Sequence, residues 1–354
     1  MTTIPTSLEE RLFGATVGAL ELFGVYLGDR LGLYGPLQAA GGLTTDELSA
    51  ACGIHPRYAR EWLEQQAVAG VLIVDDATRP ADQRRYMLPA AHAAVVADAS
   101  HPSHLAPLAR MIAGIGGVID QVAAAYRSGG GVPYARYGRD FRHGQGGINR
   151  PAFEGPLVQH WLPALSGGTA KLAAGGRVAD LGCGQGWAAI AVARAFPHAE
   201  VWGVDGDPSS IEDARGFAAA AGVQVRFECT NASGLTKHKP FDVVMLLEVL
   251  HDLARPVDAL CAARAALADD GAVLVADEKV APQFNAPGDD LERMMYGWSI
   301  THCLPTQMTE RPSAAIGTVI RESTVQQLAA EAGFARVDVL DVDGGFFRLY
   351  ELRP

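Results

Sequence analysis

No Gly-Lys-Ser or Gly-Lys-Thr occurs anywhere in the sequence, which excludes a phosphate-binding P-loop. Cysteine is sparse. Cys52, Cys183, Cys229, Cys261 and Cys303 are scattered, with no Cys-x-x-Cys among them, so neither a disulfide framework nor a cysteine metal site is expected. Positive charge is in short supply too. Lys and Arg number 29 against 40 Asp and Glu, a net charge of −11, which counts against a standing attraction for nucleic acid or an anionic membrane. The opening residues, Met1 to Glu10, lack the basic region of a signal peptide. The apolar run Leu12–Gly28 is interrupted by Glu21 and by glycines, and it falls short of the roughly 20 residues that a membrane span needs. The expectation is a buried helix in a cytoplasmic protein with no membrane partner. At 354 residues the chain has room for two domains.

What the sequence does contain is organised around residues 178–205. Val178-Ala179-Asp180-Leu181-Gly182-Cys183-Gly184-Gln185-Gly186 reads as an apolar strand that ends in an acid and a glycine-rich turn. A helix-like Trp187–Phe196 follows, and then Val201-Trp202-Gly203-Val204-Asp205, a second strand ending in an acid. This is a βαβ unit suited to a nucleotide-like ligand at the carboxyl ends of its strands. A dinucleotide fingerprint requires a third glycine where Trp187 stands, so a nicotinamide or flavin reading is weakened. A carboxylate at Asp180 would repel a pyrophosphate but suits a cationic amino-acid group. Asp205 is placed to accept hydrogen bonds from ribose hydroxyls.

Asp180-x-Gly182-x-Gly184-x-Gly186 resembles motif I of the class I S-adenosylmethionine (SAM) methyltransferases. The resemblance implies a Rossmann-like α/β sheet, parallel with a terminal antiparallel hairpin, and SAM as cofactor. It implies cofactor contacts from Asp180, Gly182, Gly184, Gly186, Asp205, Gly206, Asn231, Ala232 and Glu248. The family more often has Asp-Ala where Asn231-Ala232 stands; an amide oxygen can still accept from the adenine amino group. Further strands are expected at Val223–Phe227, Asp242–Leu247, Ala272–Ala276, Val337–Leu340 and Phe346–Leu352, with helices at Pro208–Ala221, Pro256–Ala268 and Thr324–Ala332.

Ahead of this domain, residues 1–100 read as helix, turn, helix and wing. A capped helix spans Leu43–Gly53, Pro56 opens another that runs to Ala69, and Gly70–Val74 with Arg84–Leu88 form a β wing. Such a winged helix either reads DNA or serves as a dimerisation scaffold. Twelve acids against seven bases in residues 1–100 favour the scaffold; Arg57, Arg60, Arg84 and Arg85 form the basic cluster. The module also resembles the dimerisation domain of small-molecule O-methyltransferases. Its first helix, about Ser7–Asp29, is apolar nearly all round and must be covered on several sides, which points to a homodimer. Residues 101–165 are expected to form a helical connector, with one helix over 102–127, and a lid. Within it the glycine- and arginine-rich stretch 128–149, with Tyr134, Tyr137 and Phe141, is either an ordinary surface loop or a lid over substrate. The SAM-binding domain is expected over residues 166–354.

The sulfonium of SAM activates its own methyl group, so the protein must supply alignment and a base. His251, followed by Asp252, matches the His-Asp of the plant-type O-methyltransferases that this stretch resembles; the alternative is a helix-capping pair. His302 lies in an insertion, about 282–318, that roofs the pocket in such enzymes. A related branch acting on 2-oxo acids holds a metal with paired histidines from similar regions. Adjacent His251 and Asp252 make an awkward ligand pair, and no metal is expected. The reading is methyl transfer to a small aromatic or apolar acceptor, on oxygen or carbon. A SAM-responsive transcriptional regulator and a non-catalytic cofactor-binding scaffold are the alternatives.

Overall fold

The structure is a computed structural model that describes residues 7–354, with only the backbone of Gly168. Residues 1–6, which include most of the segment read for a signal peptide, lie outside the described residues. The chain divides into two compact units, residues 1–114 with 143–151 and residues 115–142 with 152–354.

In the first unit, α1 (Leu8–Arg30) is capped by a reciprocal box between Ser7 and Glu10. Then come α2 (Tyr34–Ala40), α3 (Thr45–Cys52) and α4 (Pro56–Val68). Thr44 and Glu47 make a second capping box on α3, and Gly53 closes that helix in the left-handed conformation. The wing is only β1 (Ile73–Val74) paired antiparallel with β2 (Tyr86–Met87). Leu37, Leu48, Leu63, Trp62 and Tyr86 pack the core beneath it. α1 meets α4 where the indole N–H of Trp62 donates to the carbonyl of Gly24 at 2.9 Å. At Gly28 a Cβ would fall 2.5 Å from the Tyr34 ring and 2.6 Å from Trp62, so this face of α1 must be glycine.

The expectation that α1 is buried does not hold for the single chain. Gly24 and Gly28 are its buried residues, while Phe13 is 72 % and Leu20 64 % exposed. By length and composition the helix could cross a membrane.

The connector also differs from expectation. The single helix over 102–127 is two helices, Ala106–Gly116 and Ile119–Ser128, interrupted at Gly117-Val118. The stretch 128–149 is irregular only over 129–133. A 3-10 turn at Tyr134–Tyr137 leads into a helix at Gly138–Ala152. Its glycines lower helix propensity, yet packing demands one of them: at Gly144 a Cβ would sit 2.7 Å from Met111 and from the carbonyl of Pro107.

The second unit is built on a seven-stranded sheet in the order β5-β4-β3-β6-β7-β9-β8. The strands are β3 (Arg177–Leu181), β4 (Glu200–Asp205), β5 (Arg226–Cys229), β6 (Phe241–Leu247), β7 (Leu267–Glu278), β8 (Arg336–Val339) and β9 (Phe347–Arg353). β3 to β7 are parallel, and β9 runs antiparallel between β7 and β8. Val178, Val243, Met245 and Leu274 face one core, and Ala179, Val244, Leu246 and Val273 the other. Burial on both faces explains why these strands read as continuous apolar runs. Several boundaries move, and β7 begins at Leu267 rather than Ala272. The third parallel-sheet strand begins at Arg226 rather than Val223, and β7 extends past Ala276 to include Asp277 and Glu278.

Candidate active site

The parallel strands end together, and their last residues supply the site. At the end of β3, Asp180 is 2 % exposed and its Oδ2 has no hydrogen-bond partner. Burial, with the charge of Asp205 adding to it, pushes its carboxyl up to about 7. The turn after it is held by β4: the N–H groups of Gly182 and Cys183 both donate to the carbonyl of Val204. Gly182 sits at φ +75°, and a Cβ there would lie 2.2 Å from the Val249 side chain, so no other residue fits.

Asp205 closes β4 and accepts from the N–H of Gly184 through Oδ2 and of Asp207 through Oδ1, each at 2.8 Å. It therefore ties the glycine turn to the second strand, and its remaining lone pairs are what a ribose could use. Gly206 is exposed with open space at its Cβ position. Asn231 caps a 3-10 turn, its Oδ1 accepting from the N–H and hydroxyl of Ser233, and Ala232 is half-buried behind it. Glu248 follows β6 with φ +57°, a left-handed conformation that costs a non-glycine residue energy and concentrates at functional sites.

His251 lies in a short 3-10 turn after β6 and is 2 % exposed. Its Nδ1 is 2.9 Å from Oδ1 of Asp277, and its Nε2 is 3.4 Å from Oδ1 of Asp252. Gln307 donates to its backbone carbonyl and so fixes the turn. Burial opposes a charge on the ring, but the carboxylates of Asp277 and Asp252 outweigh it and hold the imidazole well above the ordinary histidine range. Asp277 and the adjacent Glu278, both buried, were missed at sequence level. The signal was present: an apolar strand closing in acids, the same pattern that singles out Asp180. Gln307 had no such signal.

His302 belongs to the 282–318 insertion and is likewise 2 % exposed. Its ring stacks on Phe141 at 4.2 Å between centroids and meets Tyr137 edge-on at 4.6 Å. Burial pushes its pKa down to about 4, so it is neutral. The segment before it is docked onto the insertion: Val132 donates to the carbonyl of Pro305 at 2.9 Å, and the Tyr137 hydroxyl to that of Thr301 at 2.8 Å.

Of the residues considered as metal donors, His251 and Asp252 do come together, but the third is Cys303 rather than His302. One donor atom from each of the three lies within 4.8 Å of the others. Burial pushes the Cys303 thiol up to about 12, so it holds its proton and is a poor ligand.

Residues 172–333 match the family model described as "Methyltransferase domain", and residues 18–98 match that of the "Rv2258c-like winged HTH domain". A ubiquinone biosynthesis O-methyltransferase of Roseobacter denitrificans is 37 % identical over 96 residues, 27 % of this chain and 38 % of that protein. The chain thus spans about two fifths of the length of the curated relatives that it matches. Human N-acetylserotonin methyltransferase, solved in complex with SAM, superposes with a TM-score of 0.70 at 16 % identity, over 100 % of this chain and 99 % of that one. Mitomycin 7-O-methyltransferase does so with a TM-score of 0.66 at 21 % identity, over 98 % and 97 %.

The orphaned, buried Oδ2 of Asp180 is an acceptor that fits a ligand bringing a donor, as the ammonium group of SAM would. The chain thus carries a methyltransferase domain over residues 172–333, with the Rossmann-like fold of the class I enzymes, behind an N-terminal winged-HTH domain.

Proposed function

We propose that the protein transfers a methyl group from SAM to an oxygen or carbon of a small aromatic or apolar metabolite, with His251 as the base. The buried His251–Asp277 pair, 2.9 Å apart at the ends of β6 and β7, carries this reading. SAM supplies an activated methyl on a sulfonium, so the residues need only bind, orient and take a proton. Asp180, Gly182, Gly184, Gly186, Asp205, Gly206, Asn231, Ala232 and Glu248 are the positions we assign to the cofactor. Asp277 orients the ring through Nδ1, and Nε2, 3.4 Å from Oδ1 of Asp252, is the nitrogen we assign to the acceptor. His302, neutral among Tyr134, Tyr137 and Phe141, lines the acceptor's side and offers an uncharged nitrogen; its Nε2 has no partner.

We further infer a cytoplasmic homodimer. Leu8, Leu12, Phe13, Leu20 and Leu27 of α1 are exposed, and the groove between α1 and α4, about 490 Å³ in volume, is lined by Leu20, Phe23, Leu27 and Trp62. Unpartnered apolar area of this kind marks an interaction surface. In this reading residues 1–100 pair the subunits, 101–165 connect and cover, and 166–354 carry the chemistry.

The transcriptional-regulator reading draws no support from the winged helix. Its basic cluster is spent internally: Arg57 pairs with Glu61, Arg60 and Arg84 with Glu64, and Arg85 with Glu47.

The test is calorimetric titration with S-adenosylhomocysteine, followed by a screen of phenols and 2-oxo acids for its release from SAM. Binding and release support the enzyme. Binding without release from any acceptor leaves a cofactor-binding scaffold, and a labelled duplex shifted at low salt would revive the regulator.

A further inference from the structure

Glu278 closes β7, is 3 % exposed, and its Oε2 has no hydrogen-bond partner. A carboxyl taken out of water without a donor is costly, and in a native structure such a group calls for an explanation. Its electrostatic neighbours are mostly acids: Glu248, Asp277 and Asp252, with His251 as the cation among them. That cation is already bracketed by Asp277 at 2.9 Å and Asp252 at 3.4 Å. Arg348 stands across the strand pair from Asp277 and sends a guanidinium nitrogen to the carbonyl of Val280. Because side chains alternate along a strand, Arg348 and Asp277 share one face and Glu278 takes the other. Lys279 is exposed. Asp277, His251 and Arg348, whose own Nη1 is unpartnered, thus lie to one face, and Glu278 on the other is a buried acceptor that lacks a donor, with acids as most of its electrostatic neighbours.

The cofactor does not account for Glu278. Asp180 already offers an orphaned oxygen at the end of β3, and β6 lies between β3 and β7. Two strand spacings, about 10 Å, separate the two positions along the sheet. The rings of Tyr134, Tyr137 and Phe141 gather around His302, which is electrostatically coupled to Asp252 and His251 and so borders the same cluster of charges. Those rings give that border an aromatic wall.

We propose that Glu278, backed by Glu248, binds a protonated amine on the methyl acceptor, so that the substrate class is an aromatic molecule bearing a cationic amino group. This rests on the methyl-transfer reading above. The amine donates to Oε2 of Glu278, and the acceptor's reacting group faces His251.

Three probes that share one phenol test it: tyramine (cationic), 4-ethylphenol (neutral) and 3-(4-hydroxyphenyl)propionate (anionic). Each is titrated calorimetrically into protein saturated with S-adenosylhomocysteine. Tyramine should bind about tenfold or more tighter than 4-ethylphenol, with the acid weakest. Glu278→Gln should abolish that order while leaving S-adenosylhomocysteine affinity within about twofold. The wild-type comparison stands by itself if the variant does not fold. Equal affinities, a preference for the acid, or binding of none of the three would overturn the proposal. An equal loss of S-adenosylhomocysteine affinity in Glu278→Gln would overturn it too, assigning the carboxyl to the cofactor. Protein that fails to bind S-adenosylhomocysteine loses the methyl-transfer reading as well, whereas binding it without an amine preference removes this proposal alone.

Discussion

Nδ1 of His251 lies 2.9 Å from Oδ1 of Asp277, and Oδ2 of the same carboxylate takes the backbone N–H of His251 at 3.3 Å. One buried acid thus sets both the ring and the turn that carries it. With Nδ1 held by Asp277, Nε2, 3.4 Å from Oδ1 of Asp252, is the nitrogen we assign to proton exchange with an acceptor.

A pH profile follows from this pair. Burial lowers the proton affinity of the ring, but Asp277 and Asp252 raise it further than burial lowers it, so the folded pKa is elevated. The base form exists only above that value, and kcat should rise with pH along a limb displaced above about 6.5. Asp277→Asn should move the limb to lower pH and reduce kcat more than it changes KM. For stability the sign is that of any raised histidine: the contribution is full below about 6.5 and is lost as pH climbs through the folded value. His251→Ala should spare S-adenosylhomocysteine binding; unchanged turnover across the pH range in that variant would make the pair structural.

His302 works in the opposite direction. Its pKa falls to about 4 in the folded state, against about 6.5 unfolded, so the unfolded chain takes up the proton first. The stability it permits is present above about 6.5 and declines as pH falls towards 4, by about 2 kcal/mol at pH 5. Urea unfolding of wild type and His302→Gln at pH 7 and pH 5 should show a smaller acid loss in the variant. Parallel losses would mean that the ring is charged or solvated.

Asp205 has two tasks to lose. Its oxygens hold the N–H groups of Gly184 and Asp207, and we assign it the ribose hydroxyls. Asp205→Ala should weaken S-adenosylhomocysteine by about 1.5–3 kcal/mol, the range for hydrogen bonds to a charged group. Asp205→Asn, which keeps one acceptor oxygen, should lose less. An Ala variant that binds as tightly as wild type would remove Asp205 from the cofactor site.

The exposed face of α1 makes the dimer testable. Phe13 is 72 % and Leu20 64 % exposed in the single chain, and burying such a side chain contributes about 1.5–3 kcal/mol. Light scattering should find a dimer in wild type and a monomer, or a dimer weakened at least tenfold, in Phe13→Asp and Leu20→Asp. A wild type that is monomeric at micromolar concentration would refute the interface.

Local rules carry much of the architecture. Capping boxes at Ser7 and Thr44, the stop at Gly53, and apolar runs closing in Asp180 and Asp205 are decided within a few residues. That is why the winged helix, the βαβ unit and the cofactor turn were legible in the chain itself. The helix at Gly138–Ala152 was not, since its glycines argue against it locally. One of them is required by a close approach to Pro107 and Met111, residues distant in sequence.

The chemistry divides in the same way. His251 and Asp252 were found because they are adjacent in sequence. Asp277 was not, because its meeting with His251 depends on β6 and β7 lying side by side. The environment of His302 was equally hidden: an aromatic neighbourhood assembled from the 134–141 segment and the insertion makes it neutral. The sequence by itself determined the elements, the glycine turn and the family likeness, because those depend on short-range dihedral and hydrogen-bond preferences. Only the tertiary structure decided which acids face the histidine and which are left without a donor, because burial and charge pairing depend on distances that span the whole domain.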